Sequence, residues 1–167
     1  KIKIIKKSRK IFNLSKKKFD LTILVPTLNE ELTISDFIKA CKVGAKKINV
    51  KCQILIADSS SDKTAEIAKK NGAEVVTVKK NGLGNAYKFA LPYVKSNYII
   101  MGDADLTYDF TNLGPIYAKL LAGYEFVMGN RFKGLIEKNA MPKSHQYFGT
   151  PITSFIFPVS VHLHHPS

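Results

Sequence analysis

The chain has 167 residues, with 26 basic and 13 acidic side chains and a formal net charge of +13. At 45% apolar and 23% charged it is too apolar for wholesale disorder, and its length suits one domain with short appendages. No apolar run approaches the ~18 residues that would span a bilayer, and two cysteines, Cys41 and Cys52, exclude a disulfide framework or a zinc site built of thiols alone and point to a reducing compartment.

The charge is concentrated at the start. Residues 1–18 hold nine basic side chains and no acid, interspersed with Ile2, Ile4, Ile5, Ile11, Phe12 and Leu14. This composition suits an anionic membrane surface; nucleic acid and a merely solvated tail are the competing readings, and no nucleic-acid partner is expected. A basic segment without an apolar core or cleavage site is not a signal peptide. The rest of the chain is close to charge-balanced, and its one arginine is Arg131.

From residue 21 onward, short apolar runs alternate with helical stripes. Residues 21–25 (LTILV) read as a first strand, followed by Ile34, Phe37, Ile38 and Cys41 at helical spacing. Residues 53–57 (QILIA) form the second strand, and a helix carrying Ala65 and Ala68 ends at the Asn71-Gly72 stop signal. Residues 74–78 form the third strand. Tyr87, Ala90, Leu91 and Val94 make the next stripe, which Pro92 should kink or shorten. Residues 97–101 form the fourth strand. Leu113, Ile116, Tyr117, Leu120 and Leu121 follow, with Pro115 in the first turn and Gly123 past the end. Residues 125–128 (EFVM) are expected as a fifth strand. Beyond Arg131, a stretch with Gly134, Pro142, Gly149, Pro151 and Pro158 reads as loop and a short helix. The alternation predicts an α/β fold, an open and mainly parallel sheet with helices on both faces.

Ligands in such sheets bind beyond the carboxyl ends of the strands. There the chain places Asn29-Glu30-Glu31, Asp58 to Asp62, Gly82-Leu83-Gly84, Asp103-Ala104-Asp105 and Arg131. The pair Asp103 and Asp105, two carboxylates in one tight turn, makes a hard oxygen site suited to Mg²⁺ or Mn²⁺ with positions left for substrate phosphates; an Asx-capped turn is the bland alternative. Gly82-Leu83-Gly84 is a weaker signal, common in helix-entry turns. G-x-G-x-x-G, the P-loop pattern and the nucleophile elbow are absent, and His162, His164 and His165 read as a chain end rather than a metal site.

These segments together resemble the family-two glycosyltransferases of GT-A fold, most closely the polyprenyl-phosphate branch of dolichyl-phosphate mannose and glucose synthases. The matching stretches are LTILVPTLNEE (21–31), ILIADSSSDKTAEIA (54–68), KNGLGNAY, YIIMGDADLTYDF (98–110), VMGNRFKG and AMPKSHQYFGTP (140–151). Beyond the basic tail read from composition over 1–18, the resemblance implies a GT-A domain over 19–151 and an end at 152–167 that stops short of membrane segments. It implies that Pro26, Leu28, Glu30, Ile56 and Asp58 line the base and ribose of a nucleotide-sugar donor, and that Asp103, Ala104, Asp105 and Thr107 lie at its diphosphate and the metal. Arg131, with Lys143 and His145, would hold the phosphate of a lipid acceptor. Leu28 stands where the family has an aromatic residue, and Gln146 and Thr150 where the branch often has arginine and asparagine.

The expected reaction is metal-assisted, inverting transfer of a sugar to a polyprenyl or dolichyl phosphate on the cytoplasmic side of a membrane, with Asp105 and Arg131 as the catalytic pair. An anionic acceptor needs no general base, which fits the lack of a catalytic histidine. Two alternatives stand beside it: a non-catalytic remnant that binds nucleotide sugar or a membrane surface, and a transferase with a hydroxyl acceptor. The latter needs a carboxylate base, for which Glu137 is the one acid after Glu125.

Overall fold

The computed structural model describes residues 17–129. The elements run β1 (Leu21–Thr27), α1 (Ile34–Lys47), β2 (Cys52–Asp58), α2 (Thr64–Lys70), β3 (Glu74–Thr77), α3 (Leu83–Ala90), a 3₁₀ turn (Leu91–Tyr93), β4 (Tyr98–Met101) and α4 (Gly114–Leu121). The strands form a parallel sheet in the order β3-β2-β1-β4.

Both faces of the sheet are covered, which is why the strands read as continuous apolar runs. Leu21, Ile23, Val25, Ile54 and Ile56 point to one face and pack with Ile34, Phe37, Ile38 and Cys41 of α1, with Ala68 of α2, and with Ile116, Tyr117 and Leu120 of α4. Leu24, Leu55 and Ala57 point to the other face and meet Ala86 and Ala90 of α3. Successive crossovers therefore run from β1 outward to β3, and α3 then carries the chain across the opposite face to β4. The strand order reverses between β1 and β4, and a crevice at that point is where open α/β sheets bind ligands.

The central strands extend further than their apolar runs. β1 and β2 remain paired through Pro26↔Ala57 and Thr27↔Asp58. The extension is polar: the Thr27 hydroxyl donates to Asp58 Oδ1 at 2.7 Å, with both residues buried. A proline inside a central strand calls for an explanation. The Thr27 carbonyl accepts from Ser59 N–H on the β2 side, so by alternation the nitrogen of Pro26 faces the β4 side. There the ladder has already ended at Leu24↔Met101, and no donor is missed.

The expected strand over 125–128 does not form. The described sheet has four strands and ends at β4; among the described residues the run pairs with no strand, and its Phe126 is 80% exposed. The third helical stripe is shortened at Pro92, as expected. α3 stops at Ala90, Pro92 turns the chain into a 3₁₀ turn, and Leu91 is exposed rather than buried. Gly72 and Gly123, at φ 82° and 88°, end α2 and α4 as expected.

The connection from β4 to α4 is anchored by Phe110, whose ring meets Phe37 edge-on at 4.9 Å between centroids. Two glycines make room for this segment. A Cβ at Gly102 would lie 2.8 Å from Phe110 Cζ, and one at Gly44 would collide with the Phe110 carbonyl.

Candidate active site

The first wall of the crevice is built from the loops that follow β1 and β2. Asn29 adopts a left-handed conformation at φ 57°, which asparagine tolerates. Its N–H donates to Ser60 Oγ at 2.8 Å, and its Oδ1 accepts from Ser61 N–H at 3.0 Å. Glu30 N–H donates to Thr64 Oγ1 at 2.8 Å, Glu31 N–H to Asp62 Oδ2 at 3.3 Å, and Lys63 N–H to Glu31 Oε2 at 3.2 Å. The loops thus satisfy each other's backbone donors. Asp58 lies at the base of this wall, 3% exposed, with Oδ1 accepting from Thr27 and, at 2.6 Å, from Ser60. Asp62 sits below the usual carboxylate range; desolvation pulls the other way, but hydrogen bonds from Thr64 and from Glu31 N–H outweigh it.

The second wall is the turn after β4. Asp103 and Asp105 are exposed while Ala104 between them is buried in the core, so the turn projects its two acids and anchors on its apolar residue. Thr107 donates to Asp105 Oδ1 twice, from its hydroxyl at 2.7 Å and its N–H at 3.0 Å. These bonds hold the Asp105 carboxyl below its ordinary range, so it is ionised near neutral pH. Leu106 sits at φ 63°, a conformation costly for a branched apolar residue; such strain clusters at functional sites. On the α3 side, the Tyr87 hydroxyl donates to the Gly102 carbonyl at 3.2 Å. The phenol is pushed up to about 12 by burial, then by the nearby charge of Asp103 and by Tyr108.

The structure brings Pro26, Leu28, Glu30 and Asp58 to the first wall and Asp103, Ala104, Asp105 and Thr107 to the second. Leu28 is 42% exposed and offers an apolar surface at the rim. Ile56 is fully enclosed in the core, so its side chain does not reach the crevice; Ala104 has only backbone to offer a ligand. Gly82 takes φ 81° at the start of α3, whereas Gly84 is exposed with open space where a Cβ would stand. Arg131, Lys143, His145 and the histidines at 162–165 lie outside the described residues, as does the tail over 1–16. Among the described residues no three His, Cys, Asp or Glu side chains gather to hold a metal. Asp103 and Asp105 fit a cation that takes part of its oxygen shell from substrate phosphates and water, and not a closed protein cage.

Two residues of the site carry no role in the sequence reading. Asn29 joins the two loops of the first wall, and Tyr87 joins α3 to the acidic turn. An Asn before two acids is a turn signal, which hints at the first; nothing local marks the second. The cysteines stand apart from the crevice as free thiols: burial raises Cys41, with Cys52 adding to it, and burial pushes Cys52 up to about 11. Neither is a nucleophile near neutral pH.

Residues 22–166 match the glycosyl transferase family 2 model. The low-salt glycan biosynthesis hexosyltransferase Agl6 of Haloferax volcanii is 39% identical over 138 residues, covering 81% of this chain and 33% of that protein. A dolichyl-phosphate hexose transferase of the same organism is 26% identical over 144 residues, covering 86% and 62%. The crystal structure of mannosyl-3-phosphoglycerate synthase from Rubrobacter xylanophilus superposes with a TM-score of 0.54 at 25% identity, covering 64% of this chain and 37% of that one. The chain spans about a third of the length of Agl6.

Proposed function

The chain belongs to glycosyl transferase family 2, and from that membership we propose that it forms the donor-binding part of an enzyme that transfers a hexose from a UDP- or GDP-sugar to the phosphate of a polyprenyl-type lipid. The observation that carries this reading is the pair of exposed carboxylates, Asp103 and Asp105, directly after β4, at the point where the strand order reverses. A hexosyltransferase and a dolichyl-phosphate hexose transferase among the relatives support the donor and acceptor classes.

In this reading Leu28 and Pro26 give the base an apolar surface, while Asp58 and Glu30 accept hydrogen bonds from base and ribose. Asp103 and Asp105 hold Mg²⁺ or Mn²⁺ at the diphosphate. Such a cation, when bound, offsets the negative charge that develops on the leaving diphosphate. Thr107 orients the Asp105 carboxylate for that contact. The acceptor phosphate is already an anion near neutral pH, so an oxygen of it forms the new bond to the anomeric carbon without a general base. The carbon–oxygen bond to the diphosphate breaks on the opposite face, which inverts the centre. Arg131, with Lys143 and His145, offsets the repulsion between the two phosphate groups through bidentate contacts of the guanidinium.

The basic tail serves this chemistry by holding the domain at the anionic cytoplasmic surface of a membrane. Among the described residues no helix is long and apolar enough to cross one.

The test is calorimetry of the chain with a panel of UDP- and GDP-sugars, with and without Mn²⁺. One nucleotide is expected to bind, and more tightly with Mn²⁺. A chain that binds neither nucleotide under either condition overturns the reading.

A further inference from the structure

We infer that Tyr87 is a positioning residue for the acidic turn: its hydroxyl pins the peptide joining Gly102 to Asp103 and so sets where the Asp103 carboxylate stands beside Asp105. The inference rests on the donor reading above and assigns a role to α3, which that reading leaves without one.

The peptide in question is the first beyond the β4 ladder, whose last pair is Leu24↔Met101. Its carbonyl lies past the paired strand and accepts from the Tyr87 hydroxyl at 3.2 Å. Gly102 has the widest backbone freedom of any residue, and it directly precedes an acid that must point at a ligand. Two aromatic residues remove that freedom from opposite sides of the sheet. Phe110, in the core under α1, packs so close to Gly102 that a Cβ there would fall 2.8 Å from its ring. Tyr87, packed on the α3 face with Ala86 and Ala90, closes the other side. Asp105 is steadied within its own turn by Thr107; Tyr87 supports Asp103 from outside it. Tyr87 also stands one helical turn beyond Leu83, so the same hydrogen bond ties the Gly82-Leu83-Gly84 entry of α3 to the acidic turn.

Tyr87→Phe removes the hydroxyl and keeps the ring and its packing. The melting temperature should fall by a few degrees at most, with cooperative unfolding kept, because one partly buried hydrogen bond is lost. Affinity for UDP or GDP measured with Mn²⁺ should fall about three- to tenfold, the worth of one net hydrogen bond. Affinity without metal should not change, because the first wall is untouched. A second readout does not depend on nucleotide binding: the backbone ¹⁵N resonance of Asp103 in the free chain should shift, since its amide shares the peptide whose carbonyl Tyr87 holds. An unchanged resonance overturns the clamp. Equal Mn²⁺-dependent affinity in a folded variant overturns the positioning role while leaving the donor reading intact, and a variant that no longer melts cooperatively makes Tyr87 structural and overturns it as well. If the unaltered chain binds no nucleotide even with Mn²⁺, the donor reading falls and the positioning role falls with it, whatever the resonance shows.

Discussion

The loops after β1 and β2 hold each other, Asn29 to Ser60 and Ser61, Glu30 to Thr64, Glu31 to Asp62 and Lys63. The turn after β4 instead bonds mainly within itself, Thr107 to Asp105 and then Thr111 to Asp109, and meets the rest of the fold through Phe110, Ala104 and Tyr87. Support is spread over many weak contacts in the first wall and concentrated in a few residues in the second. A spread network keeps its shape when one member is lost. A concentrated one fails at its anchor, yet its exposed acids can change without consequence for the fold. That contrast fits the proposed function, in which the first wall would read base and ribose and the second would meet the diphosphate.

The anchor should show the largest effect. Phe110 is 4% exposed and shares the core with Phe37, so Phe110→Ala should cost about 3–5 kcal/mol in urea unfolding. Loss of well under about 1 kcal/mol would mean that the acidic turn does not hang on this ring. Asp105→Asn comes next, and its effect is on binding. Charge-assisted contacts are worth roughly 1.5–3 kcal/mol, so Mn²⁺-dependent nucleotide affinity should fall about ten- to hundredfold while the melt is unchanged. Equal affinity in the variant, with and without metal, would remove the acidic turn from the donor site.

Much of this contrast is visible in the sequence because the second wall is local. Asp103, Asp105, Thr107 and Phe110 fall within one short segment directly after an apolar strand, and the alternation of strands and stripes specifies the parallel fold. The first wall is harder to read. Asn29 meets Ser60 across 31 positions, and no periodicity reports such a pair; the one long link of the second wall, Tyr87 to Gly102 across 15, is hidden in the same way. β1 and β2 outrun their apolar segments because Thr27 and Asp58 bond each other, and a polar pair does not look like strand. Residues 125–128 fail in the opposite sense. Their pattern is that of a strand, but strand formation needs a neighbour as well as a pattern, and among the described residues none pairs with this run, whose Phe126 is exposed.

A smaller effect tests the spread network. Asn29→Ala removes the bonds to Ser61 and places alanine at φ 57°, which should cost about 1–2 kcal/mol. If that single change costs as much as Phe110→Ala, the two walls are not held differently at all. Hydrogen exchange sharpens the point: the amides of Glu30 and Glu31 should keep most of their protection in the variant, because Thr64 and Asp62 still accept from them.

The smallest expected effect separates the walls by their response to acid. Asp105 has a folded pKa below its unfolded one because Thr107 donates to it. A depressed carboxyl contributes stability above its unfolded pKa and loses that contribution as pH falls through the folded value. Thr107→Val keeps the backbone donor and removes the hydroxyl, so the Asp105 carboxyl midpoint, followed by ¹³C NMR, should move up toward the ordinary range. At neutral pH the variant should be less stable by about 0.5 kcal/mol, an exposed hydrogen bond's worth, and the gap should close as the solution is acidified past the carboxylate range. Asp109, held in the same way by Thr111 at 2.6 and 2.9 Å, is the internal control and should not move, since each of these acids is served by its own threonine. Asp62 differs, because Glu31 N–H from the neighbouring loop supports it as well as Thr64. A Thr107→Val chain in which the Asp109 midpoint shifts together with that of Asp105 would mean that the second wall, too, is a connected network.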